Sequence, residues 1–121
     1  MSLLGAHQLV GWIFVVANAI AGCWALAATR WSELERRELW WFTAAAQVVA
    51  TPQAILGVLL MTTQDRTPPD MHVFYGFLTM MVVGILYSYR QQLSHQMLAL
   101  YGFGGLFLMG LGIRAMLLGT T

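Results

Sequence analysis

The chain has no lysine, a single cysteine and only 9% charged residues in 121. Soluble domains carry about 25% charged residues, so an ordinary globular protein is excluded at the outset. Six arginines against five acids leave a formal net charge of +1. No basic surface is therefore available to neutralise a phosphate backbone, which excludes a nucleic-acid module. Cys23 stands alone in an apolar run and cannot close a disulfide, which excludes a secreted disulfide scaffold. The sequence has no CxxC pair, no Gly-rich phosphate loop, no metalloprotease helix and no paired carboxylates. With no stretch long enough for a soluble catalytic domain, the chain reads as no enzyme.

What the chain does have is apolar length: 59% of its residues are hydrophobic and its mean hydropathy is +0.67. A bilayer crossing takes roughly 20 apolar residues, and four such segments are present, at 9–28, 39–61, 72–89 and 97–118. They fill nearly the whole chain and leave nothing to cover them, so the reading is an integral membrane protein with a single transmembrane domain over 1–121. Nothing alternates as membrane strands do, and runs such as Ala44-Ala45-Ala46 favour helix. No positive residue precedes the first segment, so it is expected to stay as a helix and not be cleaved as a signal. Short connections make neighbouring helices antiparallel, which predicts an all-α, up-down-up-down four-helix bundle.

Orientation follows from the arginines near the segment ends. Arg30, Arg36, Arg37 and Arg90 fall on one side, and Arg66 and Arg114 on the other. The count predicts a cell (inner) membrane protein with both termini outside. Trp31, Trp40 and Trp41 at one end and Trp12 with Tyr75 at the other are placed for interfacial belts. Pro68-Pro69 ends the second segment, and Asp70 is placed to cap the third. Pro52 should kink the second helix and free the carbonyl of Val48.

The two halves share a pattern. His7, Gly11 and Trp12 align with His72, Gly76 and Phe77, and Leu59 to Thr63 align with Leu117 to Thr121. A tandem repeat of two helical hairpins would explain both matches.

His7 and His72 open the first and third helices, on the same side and at similar depth. Ionisable groups in such places are functional candidates. Each has a glycine four residues on, Gly11 and Gly76, about 40° round the helix and one turn deeper, which leaves flat space beside the imidazole. Two neutral imidazoles on facing helices suit a metal ion or the axial positions of haem iron. In these four residues the chain resembles the small four-helix b-type cytochromes. It differs from many of them in carrying its histidines near helix ends. The resemblance implies haem b, with His7 and His72 as metal ligands and Gly11 and Gly76 beside the macrocycle.

Arg114 falls about one turn inside the same face, where a guanidinium needs a partner. Haem propionate, a quinone carbonyl and lipid phosphate are candidates. So are Asp65, Asp70 and simple snorkelling to the interface. Asn18 extends His7 and Gly11 into a small, polar stripe with Gly22, facing Gln47, Gln53 or Thr79 across the bundle. Gly105 and Gly112 form a seam for close approach of another helix, within the chain or from a partner subunit. His95 lies at the opposite end from His7 and His72 and reads as a solvated helix-end residue.

No Asp or Glu lies in the four segments, so proton-coupled multidrug export has no carboxylate to use. The expected role is an accessory or anchor subunit of a larger electron-transferring membrane complex, in contact with lipid and with other subunits or further copies of itself. The alternative is a small oligomeric transporter or channel protomer.

Overall fold

The computed structural model describes residues 2–119. Helix α1 covers Leu3–Arg30, α2 Arg37–Val48, α3 Ala50–Thr63, α4 Asp70–Ser88 and α5 Met97–Gly119, with short 3₁₀ turns at Ser32–Leu34 and Ser94–Gln96. No strand occurs among the described residues. α2 and α3 are the two halves of one span, so the molecule is a four-helix bundle in which every span is long and apolar enough to cross a membrane.

Helix α1 runs past its apolar segment because its capping residue lies upstream. Ser2 caps α1, its Oγ accepting the Gly5 N–H at 2.9 Å, so the helix starts six residues before the apolar run at Leu9. After Arg30 the chain turns extended at Trp31. The Trp24 indole donates to the Leu34 carbonyl at 2.9 Å and ties this loop to the bundle.

The second span is interrupted at Val49, three residues before Pro52. Pro52 has no N–H to offer the Val48 carbonyl, and the helix breaks at Val49. Val49 keeps helical dihedrals, φ −56° and ψ −24°, and Gln53 donates to its carbonyl at 3.2 Å. The break is thus a loosened turn within a continuous rod.

Asp70 does not cap the third span as its position suggested. Pro69 is the residue before the helix and makes no side-chain cap, while Asp70 lies in the first turn. A carboxylate there still meets the positive end of the helix dipole. Trp31 and Trp41 are exposed at one end and Trp12 at the other, as interfacial aromatics should be. Trp40 departs from this pattern. It packs on the core, edge-on to Tyr101 with ring centroids 6.0 Å apart, and Tyr101 in turn donates to the Leu86 carbonyl at 3.2 Å.

α1 is the central element. It lies along α5 for most of its length and against α2 and α3 on its other side, whereas α4 leans on α5 and scarcely meets α3. The α1–α5 contact is backbone-close because it is made of glycines. A Cβ on Gly105 would stand 3.0 Å from Gly22 Cα, and one on Gly22 would stand 2.9 Å from the Gly102 carbonyl. The seam foreseen at Gly105 and Gly112 is therefore internal, with Val15 packed on Gly112. At most 39% of each span's most apolar stretch is buried within the bundle. Trp12, Val16, Ile20, Phe77, Phe103 and Phe107 face outward, as suits spans lying in a bilayer.

α1 and α4 run parallel, as a repeat of two hairpins requires. The matching Thr120 and Thr121 lie outside the described residues.

Candidate functional site

The amino ends of α1 and α4 and the carboxyl ends of α3 and α5 meet at one end of the bundle. Antiparallel registration dictates what each histidine touches. On α1, His7 comes opposite Gly57 of α3, where a Cβ would lie 3.3 Å from the imidazole Cε1. On α4, His72 comes opposite the last turn of α5, where a Cβ on Gly119 would lie 2.8 Å from Nδ1. Glycine at both places lets an imidazole lie against helix backbone.

The two rings stand 6.1 Å apart between centroids at an interplanar angle of 74°. His72 Nδ1 is 2.6 Å from the carbonyl oxygen of Ala115. A carbonyl can only accept, so Nδ1 carries the proton and Nε2 of the neutral ring keeps its lone pair. This is the outer hydrogen bond that normally orients a ligating histidine. His7 Nδ1 is buried and makes no hydrogen bond. Each ring therefore has a nitrogen that the protein does not use. A metal–imidazole bond is about 2 Å long, so two rings sharing one ion have centroids separated by the order of distance seen here. No group of three or more His, Cys, Asp or Glu side chains comes together among the described residues. Among the described residues the donor set at this end is two imidazoles, fewer than the three or four protein ligands that a zinc site uses.

The other expected members of the site lie around this pair and do not share one space. Gly11 is buried, and the Gln53 side chain stands over it, with Nε2 3.0 Å from where a Cβ would be. Gly76 is exposed with nothing within 4 Å of its Cβ position. The difference has a simple cause: α3 packs on α1 beside Gly11, while α4 is held on one side only. Arg114 is exposed, its guanidinium carbon 6.0 Å from the centroid of the Tyr75 ring. It precedes Ala115, so it shares the depth of the histidines, but it faces this aromatic ring. The ion pair found among the described residues is elsewhere, Arg36 to Glu38 at 3.7 Å, and well exposed. His95 is exposed at the opposite end of the bundle.

The polar stripe of α1 is buried, with a different pairing from the side-chain partners expected. Asn18 Nδ2 donates to the Ala46 carbonyl of α2 at 3.1 Å and to Phe14 in its own helix at 2.9 Å. Thr79 bonds within α4, to the Tyr75 carbonyl at 2.7 Å. Sequence reasoning also missed Gly57, Ala115 and Gly119, the three residues that seat the histidines. Gly57 and Gly119 near the ends of the second and fourth apolar segments were the available signal, once antiparallel neighbours are assumed.

No family model, no curated protein and no solved structure matches the chain.

Proposed function

We propose that this chain is an accessory or anchor subunit of an electron-transferring membrane complex, holding haem b through His7 and His72. One observation carries the reading: two imidazoles 65 residues apart in sequence are brought to 6.1 Å, and each keeps a ring nitrogen outside the protein's own hydrogen bonds. Bound there, haem would supply a one-electron iron couple within the membrane. His72 would offer Nε2 with its ring held by Ala115, and His7 would offer a nitrogen from a ring seated on Gly57. Arg114, at the same depth, would place positive charge near that end of the bundle. The arginine distribution favours both termini outside, with the loop holding Arg36 and Arg37 in the cytoplasm. The broad outward apolar faces support contact with lipid, further subunits or a second copy.

The test is an absorption spectrum of the detergent-purified chain, as isolated and after haem supplementation. A low-spin spectrum with a sharp α-band on dithionite reduction is expected. His7→Ala and His72→Ala should each abolish it, since one missing ligand opens a coordination position, whereas Arg114→Gln should retain it. No Soret band after supplementation, or a full low-spin spectrum in His72→Ala, would end the haem reading. Colourless protein co-purifying with other subunits would leave the anchor role alone. Ion flux by the pure chain in liposomes would select the transporter alternative.

A further inference from the structure

Five buried side-chain atoms make no hydrogen bond among the described residues: His7 Nδ1, Gln53 Oε1, Asn18 Oδ1, Gln47 Nε2 and Thr43 Oγ1. All belong to the packing of α1 against α2 and α3. His7 lies on Gly57, Gln53 lies on Gly11, and Asn18 is bonded to Ala46. Thr43 and Gln47 share the buried stripe of α2 with Leu39 and Ala46, and Leu39 clusters with Ala25 and Ala28 of α1. The antiparallel register puts the residues that carry them in one order along α1, His7 against Gly57 first, then Gln53 against Gly11, then Asn18 against Ala46 with Gln47 and Thr43 beside and beyond it. This line of residues begins at the histidine end and runs on the order of 20 Å along α1, at about 1.5 Å per residue. It stops against the apolar plug of Leu39, Ala25 and Ala28. Among the described residues none of the five atoms belongs to α4 or α5.

Buried polar groups are almost always paired, and hydrocarbon offers them nothing. The line mixes a donor, two amide acceptors, a hydroxyl and an imidazole, all uncharged as a set, which is the chemistry water satisfies. In the packed state each atom is sealed from water, so water enters only if the interface opens. The helix break supplies the means. Val49 lies in the middle of the line, between Gln47 and Gln53, where Pro52 has removed the backbone bond to Val48. Below it, α3 is held chiefly by α1, because it scarcely meets α4.

We propose that the Val49 break is a hinge whose opening admits water from the histidine end along the line from His7 to Thr43, as far as the Leu39 plug. The proposal rests on the packing of α1 against α2 and α3; it shares His7 with the haem reading, and its test reads Thr43 and Gln47, which lie outside the histidine pair.

The test uses the full chain in lipid nanodiscs with Cys23→Ser as background. Silver ion is the probe, and protection of each thiol from later alkylation in detergent is the readout. Thr43→Cys and Gln47→Cys are expected to react at least tenfold faster than Leu39→Cys. Adding Pro52→Ala, at an exposed position, should slow both at least threefold by restoring the missing backbone bond. Thr43 and Gln47 variants no faster than Leu39→Cys would show a dry interface and overturn the proposal. Equal, fast reaction of all three would replace the closed line with an open pore. Unchanged rates on adding Pro52→Ala would remove the hinge. Hydrogen–deuterium exchange needs no cysteine and guards against misfolded variants. Amides 45–53 should exchange faster than amides 14–22 in the Cys23→Ser background, and the difference should shrink with Pro52→Ala; equal exchange of the two segments would also overturn the hinge.

Discussion

Asn18 is wholly buried, and its amide joins α1 to α2 through the Ala46 carbonyl. Hydrogen bonds between membrane helices contribute on average about 0.6 kcal/mol and at most about 1.7 kcal/mol. Asn18→Leu removes this link and adds bulk beside the Gly105 seam, so a loss of about 1 kcal/mol is expected in a denaturant titration in detergent. An unchanged midpoint would show that the bond contributes nothing to holding the span. At this scale the sequence was partly legible. His7, His72 and Asn18 stand out as polar residues in apolar runs, and polar groups in such places must find partners. Their partners were not legible, because Ala46 and Ala115 act through backbone carbonyls, and a carbonyl leaves no mark in a residue's identity.

Among the helices, α1 and α5 are the pair whose contact is hardest to alter. A Cβ at Gly105 meets backbone atoms of Gly22 and Asn18 within 3.2 Å, and backbone cannot step aside. Gly105→Leu should therefore separate the two helices and broaden or shift the peak on a sizing column, while Leu106→Ala should elute normally. Gly110 faces open space with nothing within 4 Å of its Cβ position. Gly110→Ala should be neutral or stabilising by up to about 1 kcal/mol, as for glycine in an exposed helix. If Gly105→Leu and Gly110→Ala behaved alike in sizing and thermal scans, the seam would not be what joins α1 to α5. Glycine spacing marked Gly105 and Gly112 in advance, but Gly22 and Gly102 complete the seam only once α1 and α5 are neighbours.

For the whole molecule, the expectation that can be measured is orientation. Arg30, Arg36, Arg37 and Arg90 gather at one end and Arg66 and Arg114 at the other, and basic residues are retained on the cytoplasmic side. With Cys23→Ser as background, Gln64→Cys should react with an impermeant maleimide in intact cells. Glu35→Cys should react only after permeabilisation. The reverse pattern would turn the bundle over and place the histidine end in the cytoplasm.

The number of spans, their helical nature and their antiparallel order were determined by the sequence itself. They depend on how many residues it takes to cross hydrocarbon and on each helix satisfying its own backbone. The Pro52 break was equally legible, since a missing N–H acts locally. Which helices lie side by side was decided by the tertiary structure, because every span is largely apolar and neither the polar stripe of α1 nor the glycine seam of α5 names the helix that receives it. The close approach of α1 to α5 comes from Gly22 fitting against Gly102 and Gly105. His7 and His72 come to 6.1 Å at one end of the bundle. Their spacing in the chain says only that they share a depth; their separation across the bundle is set by Gly57 and Gly119, each leaving room for a ring.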